Sequence, residues 1–130
     1  MSVDARYWAG FFDGEGCVTF ANYRERGYRT SGLRVTFSQC YWPILKIGHA
    51  RFGGWLGRGK RGDGIRREQH QWHLSGKKAR QFLLTIRRHL HEKRAQVDIA
   101  LRLADTPFDE RGTLLAELKA EKKREWRVAS

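Results

Sequence analysis

The sequence predicts an α+β fold: a four-stranded antiparallel sheet with helices packed on one face, in the order α-β-β-α-β-β-α-α-α around an αββαββα core. Three observations predict it. Residues 17–23 and 33–39 alternate apolar and polar on either side of a polar segment, the pattern of a hairpin with one buried face. Ala79, Phe82, Leu83, Ile86 and Leu90 recur at helical spacing and make one apolar stripe. Gly53-Gly54, Ser75-Gly76 and Pro107 break the chain between such stretches.

The elements follow in order. In DARYWAGFF, residues 4–12, Asp4 is placed to cap a helix, and Trp8, Phe11 and Phe12 are apolar at near-helical spacing. Gly14 and Gly16 are expected to end that helix. CVTFANY, residues 17–23, puts Val18 and Phe20 on one strand face and Cys17, Thr19, Ala21 and Tyr23 on the other. The basic segment RERGYRTSG, residues 24–32, turns the chain. LRVTFSQ then returns it, with Leu33, Val35 and Phe37 on the greasy face and Arg34, Thr36 and Ser38 on the polar one.

Trp42-Pro43 opens a second helix, since proline suits a first turn; it runs to about Phe52 with Ile44, Leu45 and Ile47 apolar. A short strand is expected near Trp55 to Lys60, overlapping a glycine-rich basic loop at residues 57–68. QHQWHL, residues 69–74, is the fourth strand, with Trp72 and Leu74 inward and Gln69, Gln71 and His73 outward. After the striped helix, His89 to Lys93 forms a junction, and a fourth helix carries Val97, Ala100, Leu101 and Ala104. Residues 110–127 make a charged helix with Leu114, Leu115 and Leu118. The expected organisation is a core domain over residues 1–107, with residues 108–130 as a charged helical extension of the same domain whose terminal EKKREW run is solvated.

The 130 residues carry 26 Lys and Arg against 14 Asp and Glu, a formal net charge of +12, with 40% hydrophobic and 12% aromatic residues. That apolar content excludes a disordered basic tail, so the charge belongs to a folded domain. A field of this sign attracts polyanions, nucleic acid first and an anionic membrane surface second. No apolar run is long enough to cross a bilayer, and MSVDARYW lacks the order of a signal peptide. A soluble, intracellular protein with no membrane partner and no small-molecule cofactor is therefore expected, in the cytoplasm or an organelle. Cys17 and Cys40 have no zinc spacing and are expected to be reduced, buried or half-buried thiols. His70 and His73 would face opposite sides of a strand, and His89 and His91 sit at a junction, so no histidine metal site is expected.

Residues 8–16, WAGFFDGEG, concentrate the chemistry. Tyr7, Gly10, Phe11 and Gly14 share one helical face, where the glycines let another backbone approach closely. Two such helices packed together would place their C-terminal ends, and a Glu15 from each chain, side by side. Paired carboxylates can hold a divalent metal. The plainer reading of Gly14-Glu15-Gly16 is a turn with a solvated acid.

The nonamer resembles the motif that names the LAGLIDADG homing endonucleases. Ala9, Gly10, Asp13 and Gly16 match by identity, Phe11 and Phe12 keep the apolar character, Trp8 replaces a leucine, and Glu15 replaces the second aspartate. The element order over residues 4–104 is similar to that family's αββαββα core. The resemblance implies a site-specific double-strand DNA endonuclease of the mobile-intron kind, hydrolysing phosphodiester bonds at a long pseudo-palindromic target. With one motif per chain it implies a homodimer, joined through Tyr7, Gly10, Phe11 and Gly14. It also implies Mg²⁺, or another divalent cation such as Mn²⁺, with Glu15 as the catalytic and metal-binding carboxylate and the Gly14 carbonyl as a lesser ligand. Asp13 supports the helix end and its packing on this view. LHEKRAQ, residues 90–96, is similar to the family stretch with an active-site lysine, here Lys93. A third catalytic group at the end of the second strand falls on Gln39 or Tyr41, as register decides. The alternative is a non-cleaving nucleic-acid-binding protein on the same scaffold, an intron-splicing maturase or a DNA-binding regulator.

The same implication makes the sheet a DNA-binding saddle. A two-stranded ribbon fits the major groove, where base edges carry distinct donor and acceptor patterns. Arg34, Gln69 and Gln71 suit base readout, and Thr19, Tyr23, Thr36, Ser38 and His73 suit bases or phosphates. Arg24, Arg26 and Arg29 at the first hairpin tip, and Lys60, Arg61, Arg66 and Arg67 at the second, suit phosphates.

Overall fold

The computed structural model describes residues 4–25, 28–39, 41–58 and 69–129, the side chains of 23–25, 28–31 and 125–129 excepted. Arg26, Cys40, Lys60, Arg61, Arg66 and Arg67, and the side chains of Tyr23, Arg24 and Arg29, lie outside the described residues. The described elements are α1 (Ala5–Glu15), β1 (Gly16–Glu25), β2 (Tyr28–Gln39), α2 (Trp42–Phe52), β3 (Trp55–Arg58), β4 (His70–Ser75), α3 (Gly76–Ile86), α4 (Arg94–Ala104) and α5 (Gly112–Ala129). The strands form one antiparallel sheet in the order β1-β2-β4-β3. This is the expected α+β architecture.

Asp4 caps α1 as its position predicts, accepting from the Tyr7 N–H at 3.1 Å. Gly14 does not end the helix: α1 continues through Glu15, and Gly16 closes it with its N–H on the Phe12 carbonyl. A Cβ at Gly16 would run into the Phe12 ring, so the close approach itself requires glycine there. The first hairpin is longer than expected. Its strands pair out to Glu25 and Tyr28 and absorb most of the segment assigned to a turn, where Tyr28 and Thr30 favour extended backbone. The described part of β3 reaches Arg58, the expected strand end at Lys60 lies outside the described residues, and β4 begins at His70 rather than Gln69. Gly53 and Gly54 both stop α2 at positive φ, 81° and 92°, which other residues rarely adopt.

The inner sheet face contributes Val18, Leu33, Val35, Phe37, Trp72 and Leu74 to the core. The helices meet it with Trp8, Phe12, Leu45, Phe82, Leu83, Ile86 and Val97, all fully buried. Phe37 stacks on Trp72 with centroids 4.9 Å apart, and Trp8 meets Trp72 edge-on at 5.7 Å. Gly48 in α2 makes room for both indoles; a Cβ there would lie 2.5 Å from Trp72 and 2.9 Å from Trp8. The tryptophan that opens the nonamer is therefore a core residue housed by a glycine on another helix.

The charged C-terminal helix docks on the core through its leucines. Leu118 of α5 is buried against Ile99 and Leu103 of α4, with Phe20, Leu114 and Leu115 packed alongside. Arg111 ties this corner down. Its Nε donates to the Thr106 and Leu103 carbonyls at 2.8 and 3.1 Å. Nη1 donates to Asn22 Oδ1 at 2.9 Å, and the guanidinium lies 4.7 Å from the Phe20 ring centre. Among the described residues no helix is long and apolar enough to cross a membrane.

Candidate functional site

The last turn of α1 delivers Asp13, Gly14 and Glu15 in succession. At about 3.6 residues per turn, neighbours on a helix point in different directions. Asp13 is half-buried, and Glu15 is exposed. The Asp13 carboxylate accepts the main-chain N–H groups of His91 at 2.8 Å and Lys93 at 3.0 Å, so it anchors the turn that leads into α4. No described residue pairs with the Glu15 carboxylate.

Lys93 comes to the same helix end. Its Nζ donates to the Gly16 carbonyl at 2.5 Å and the Phe12 carbonyl at 3.3 Å. An ammonium beside the last carbonyls of a helix complements its dipole. Of the three N–H donors on a lysine, two are thus occupied at the end of α1, one of them on the residue following Glu15. Gln39 is the last residue of β2 and pairs with His70, while Tyr41 lies beyond the strand as the cap residue of α2. By alternation Gln39 shares the side of Phe37, and Gly16 pairs with Phe37, so Gln39 stands at the sheet end where α1 arrives.

Gly10 and Gly14 present an open face of α1. Beyond the helix's own backbone and the adjoining residues, no atom of the described residues lies within 4 Å of the place a Cβ would take on either, and Tyr7 beside them is 47% exposed. Phe11 belongs to this face only in part, since its ring stacks on core residue Phe37 at 5.1 Å. Among the described residues no three His, Cys, Asp or Glu side chains gather into a metal cluster. A hard divalent cation takes about six or more oxygen donors. The Glu15 carboxylate and the Gly14 carbonyl are oxygen donors of the kind such a cation takes, and together they could supply only part of its shell.

The outer sheet face is built by strand register. Cys17, Thr36, His73 and Trp55 form one row across all four strands; Thr19, Arg34 and Ser75 form the next, and Ser38, Gln71 and Gly57 another. Thr19 and Arg34 are exposed, and Thr36, Ser38, Gln71 and His73 are partly so; Gln69 is exposed just before β4. Thr36 Oγ1 meets His73 Nδ1 at 3.2 Å, and His73 Nε2 meets Gln71 Oε1 at 3.0 Å. Burial, and then the Arg34 charge, hold the His73 pKa below the ordinary histidine value. An open cleft of about 690 Å³ is lined by Arg34, Trp55, His73, Ser75, Lys77 and Lys78.

Two residues on this face depart from expectation. Cys17 is exposed rather than buried, and Lys122 Nζ of α5 reaches its sulfur at 3.8 Å. Trp55, which the sequence did not single out, is 53% exposed on the outer face, with its ring 5.2 Å from that of His73. Its indole lies over Gly57, where a Cβ would come within 2.5 Å of it. In the four-residue strand WLGR, alternation is too short to assign a side, so the signal for Trp55 was absent.

No family model matches the sequence, and no curated protein sequence matches it. Solved structures do match. The homing endonuclease I-CvuI in complex with its target aligns with a TM-score of 0.66 and 22% identity, over 93% of this chain and 78% of that one. An archaeal intron-encoded homing endonuclease complexed with DNA gives a TM-score of 0.71 at 15% identity, over 90% and 82%. The LAGLIDADG homing endonuclease I-GzeII, in complex with a DNA target, gives 0.65 at 12% identity, over 92% of this chain but 44% of that one. The chain has the LAGLIDADG homing-endonuclease fold. On this LAGLIDADG fold the nonamer supplies all of α1 after its first three residues and the first residue of β1, so the motif's two acids fall on the last turn of one helix.

Proposed function

We propose that the chain is a site-specific, divalent-metal-dependent endonuclease for double-stranded DNA, working inside the cell as a homodimer on a long pseudo-palindromic target of the mobile-intron kind. The observation that carries this reading is the exposed Glu15 carboxylate at the end of an α1 face left open by Gly10 and Gly14. Two such faces in contact bring two acids together, one from each chain, and a two-fold axis matches one acid to each strand. Mg²⁺ or Mn²⁺ bound by Glu15 and the Gly14 carbonyl would polarise the phosphate and activate water. Lys93, with one N–H unspent, screens the phosphate charge and orients that water. Gln39 adds a polar group at the sheet end. Asp13 holds the turn carrying Lys93 and is not a metal ligand in this scheme.

The outer face presents the target-reading side chains. Arg34 is committed outward because Leu33 and Val35 on either side are buried. Thr19, Thr36, Ser38, Gln69, Gln71 and His73 add donors and acceptors, and the basic residues of the hairpin tips add phosphate contacts. The full chain is incubated with plasmids carrying a library of sites, with and without Mg²⁺. Metal-dependent double-strand cuts at a defined sequence are expected, and Glu15→Gln abolishes them while keeping specific binding. Binding to a defined site with no cutting under any divalent cation would favour the non-cleaving alternative.

A further inference from the structure

We infer that Gln71 reads base edges as a hydrogen-bond donor, because His73 holds its carbonyl oxygen turned toward the imidazole ring. This rests on the proposed role of the sheet face in contacting DNA. The direction of each bond follows from which atoms can donate. An amide oxygen only accepts, so the proton between His73 Nε2 and Gln71 Oε1 belongs to the imidazole. Burial and the Arg34 charge favour neutral His73, so its Nδ1 is bare and accepts from the Thr36 hydroxyl. Protonation would reverse only the Thr36 bond; Nε2 would still donate to Gln71.

The ring that directs Gln71 is held from several sides. Thr36 is its cross-strand partner on β2, and Trp55 is its partner on β3. The Trp55 indole in turn rests over Gly57, the cross-strand neighbour of Gln71. The oxygen keeps a second lone pair, but its bond to His73 fixes it toward the ring, so the group Gln71 presents outward is the NH₂, with two donors. A glutamine with both amide groups free pairs with adenine through N6 and N7. A glutamine that presents its NH₂ instead fits acceptors: guanine O6 and N7, or thymine O4. Glutamine is thereby moved away from adenine by a histidine that need not touch DNA, which makes His73 a positioning residue.

The test is selection from a library of randomised DNA duplexes by the full chain without divalent metal, followed by sequencing. Gln71→Ala should relax one position per half-site at which the unaltered protein takes guanine or thymine. His73→Phe keeps a ring against Trp55 but removes the donor, and should move that position toward adenine by roughly tenfold or more. Gln71→Glu, which leaves the His73 donor in place but presents only acceptors, should move it toward cytosine. It carries the test even where His73→Phe fails to fold, as a thermal melt would reveal. Adenine at the position relaxed by Gln71→Ala, or a folded His73→Phe with an unchanged profile, overturns the inference. An unchanged profile in Gln71→Glu does so too. Enrichment of no sequence by the unaltered protein would overturn the proposed DNA-reading role as well.

Discussion

The carboxylate of Asp13 receives the main-chain N–H of Lys93 at 3.0 Å, and the ammonium of Lys93 returns to the carbonyl of Gly16 at 2.5 Å. Each residue holds the other's segment, so the end of α1 and the start of α4 are fixed together around Glu15. Asp13→Ala removes an acceptor shared by two N–H groups and should cost about 1.5–3 kcal/mol of stability. Urea denaturation measures it; an unchanged midpoint would show that the contact contributes nothing.

Two glycines on different helices should respond in opposite ways. Gly48→Ala drives a methyl into Trp72 and Trp8 and should destabilise the folded chain by about 1–3 kcal/mol. A Cβ at Gly10 meets no other part of the described residues within 4 Å, so Gly10→Leu should leave the folded monomer intact while breaking the proposed dimer. Sedimentation at micromolar concentration separates the two effects. A purely monomeric unaltered protein would remove the dimer, and a dimer that survives Gly10→Leu would place the interface elsewhere.

Lys93→Met keeps the stem but loses the ammonium, and with it the bonds to Gly16 and Phe12. Cleavage should slow, though less than in Glu15→Gln, while specific binding persists. Single-turnover cleavage and a binding titration on the same site distinguish a local effect from loss of fold. Cleavage at the unaltered rate would leave Lys93 with only its structural bonds.

His73 links stability to pH. Its folded-state pKa lies below the ordinary histidine value, so between the two the unfolded chain binds more protons. Stability contributed by neutral His73 is present above the ordinary value and declines as pH falls toward the folded one. His73→Phe should remove this component from denaturation midpoints taken between about pH 8 and pH 5. An identical pH slope in the variant would assign the dependence to other groups.

Much of this fold was legible in single residues. Leu33, Val35 and Phe37 alternate with Arg34, Thr36 and Ser38, and that period alone settles which face of β2 is buried. The stripe from Ala79 to Ile86 likewise commits α3 to the core. The nonamer put an acid at the end of the first helix, and only its exact last residue shifted, from the glycines to Glu15. These features are local: they depend on the geometry of one helix or one strand.

Other features depend on the meeting of distant segments. Asp13 finds N–H partners almost eighty residues away, at His91 and Lys93, and Arg111 finds Asn22 on the first strand. The burial of Leu118, the exposure of Cys17 and the outward side of Trp55 follow from which helix covers which strand and how β3 registers with β4. The face each element buries is written in the residue order, because side-chain period is a property of the local backbone. Register and helix docking arise only in the folded chain, because they are chosen by its summed packing and hydrogen bonding.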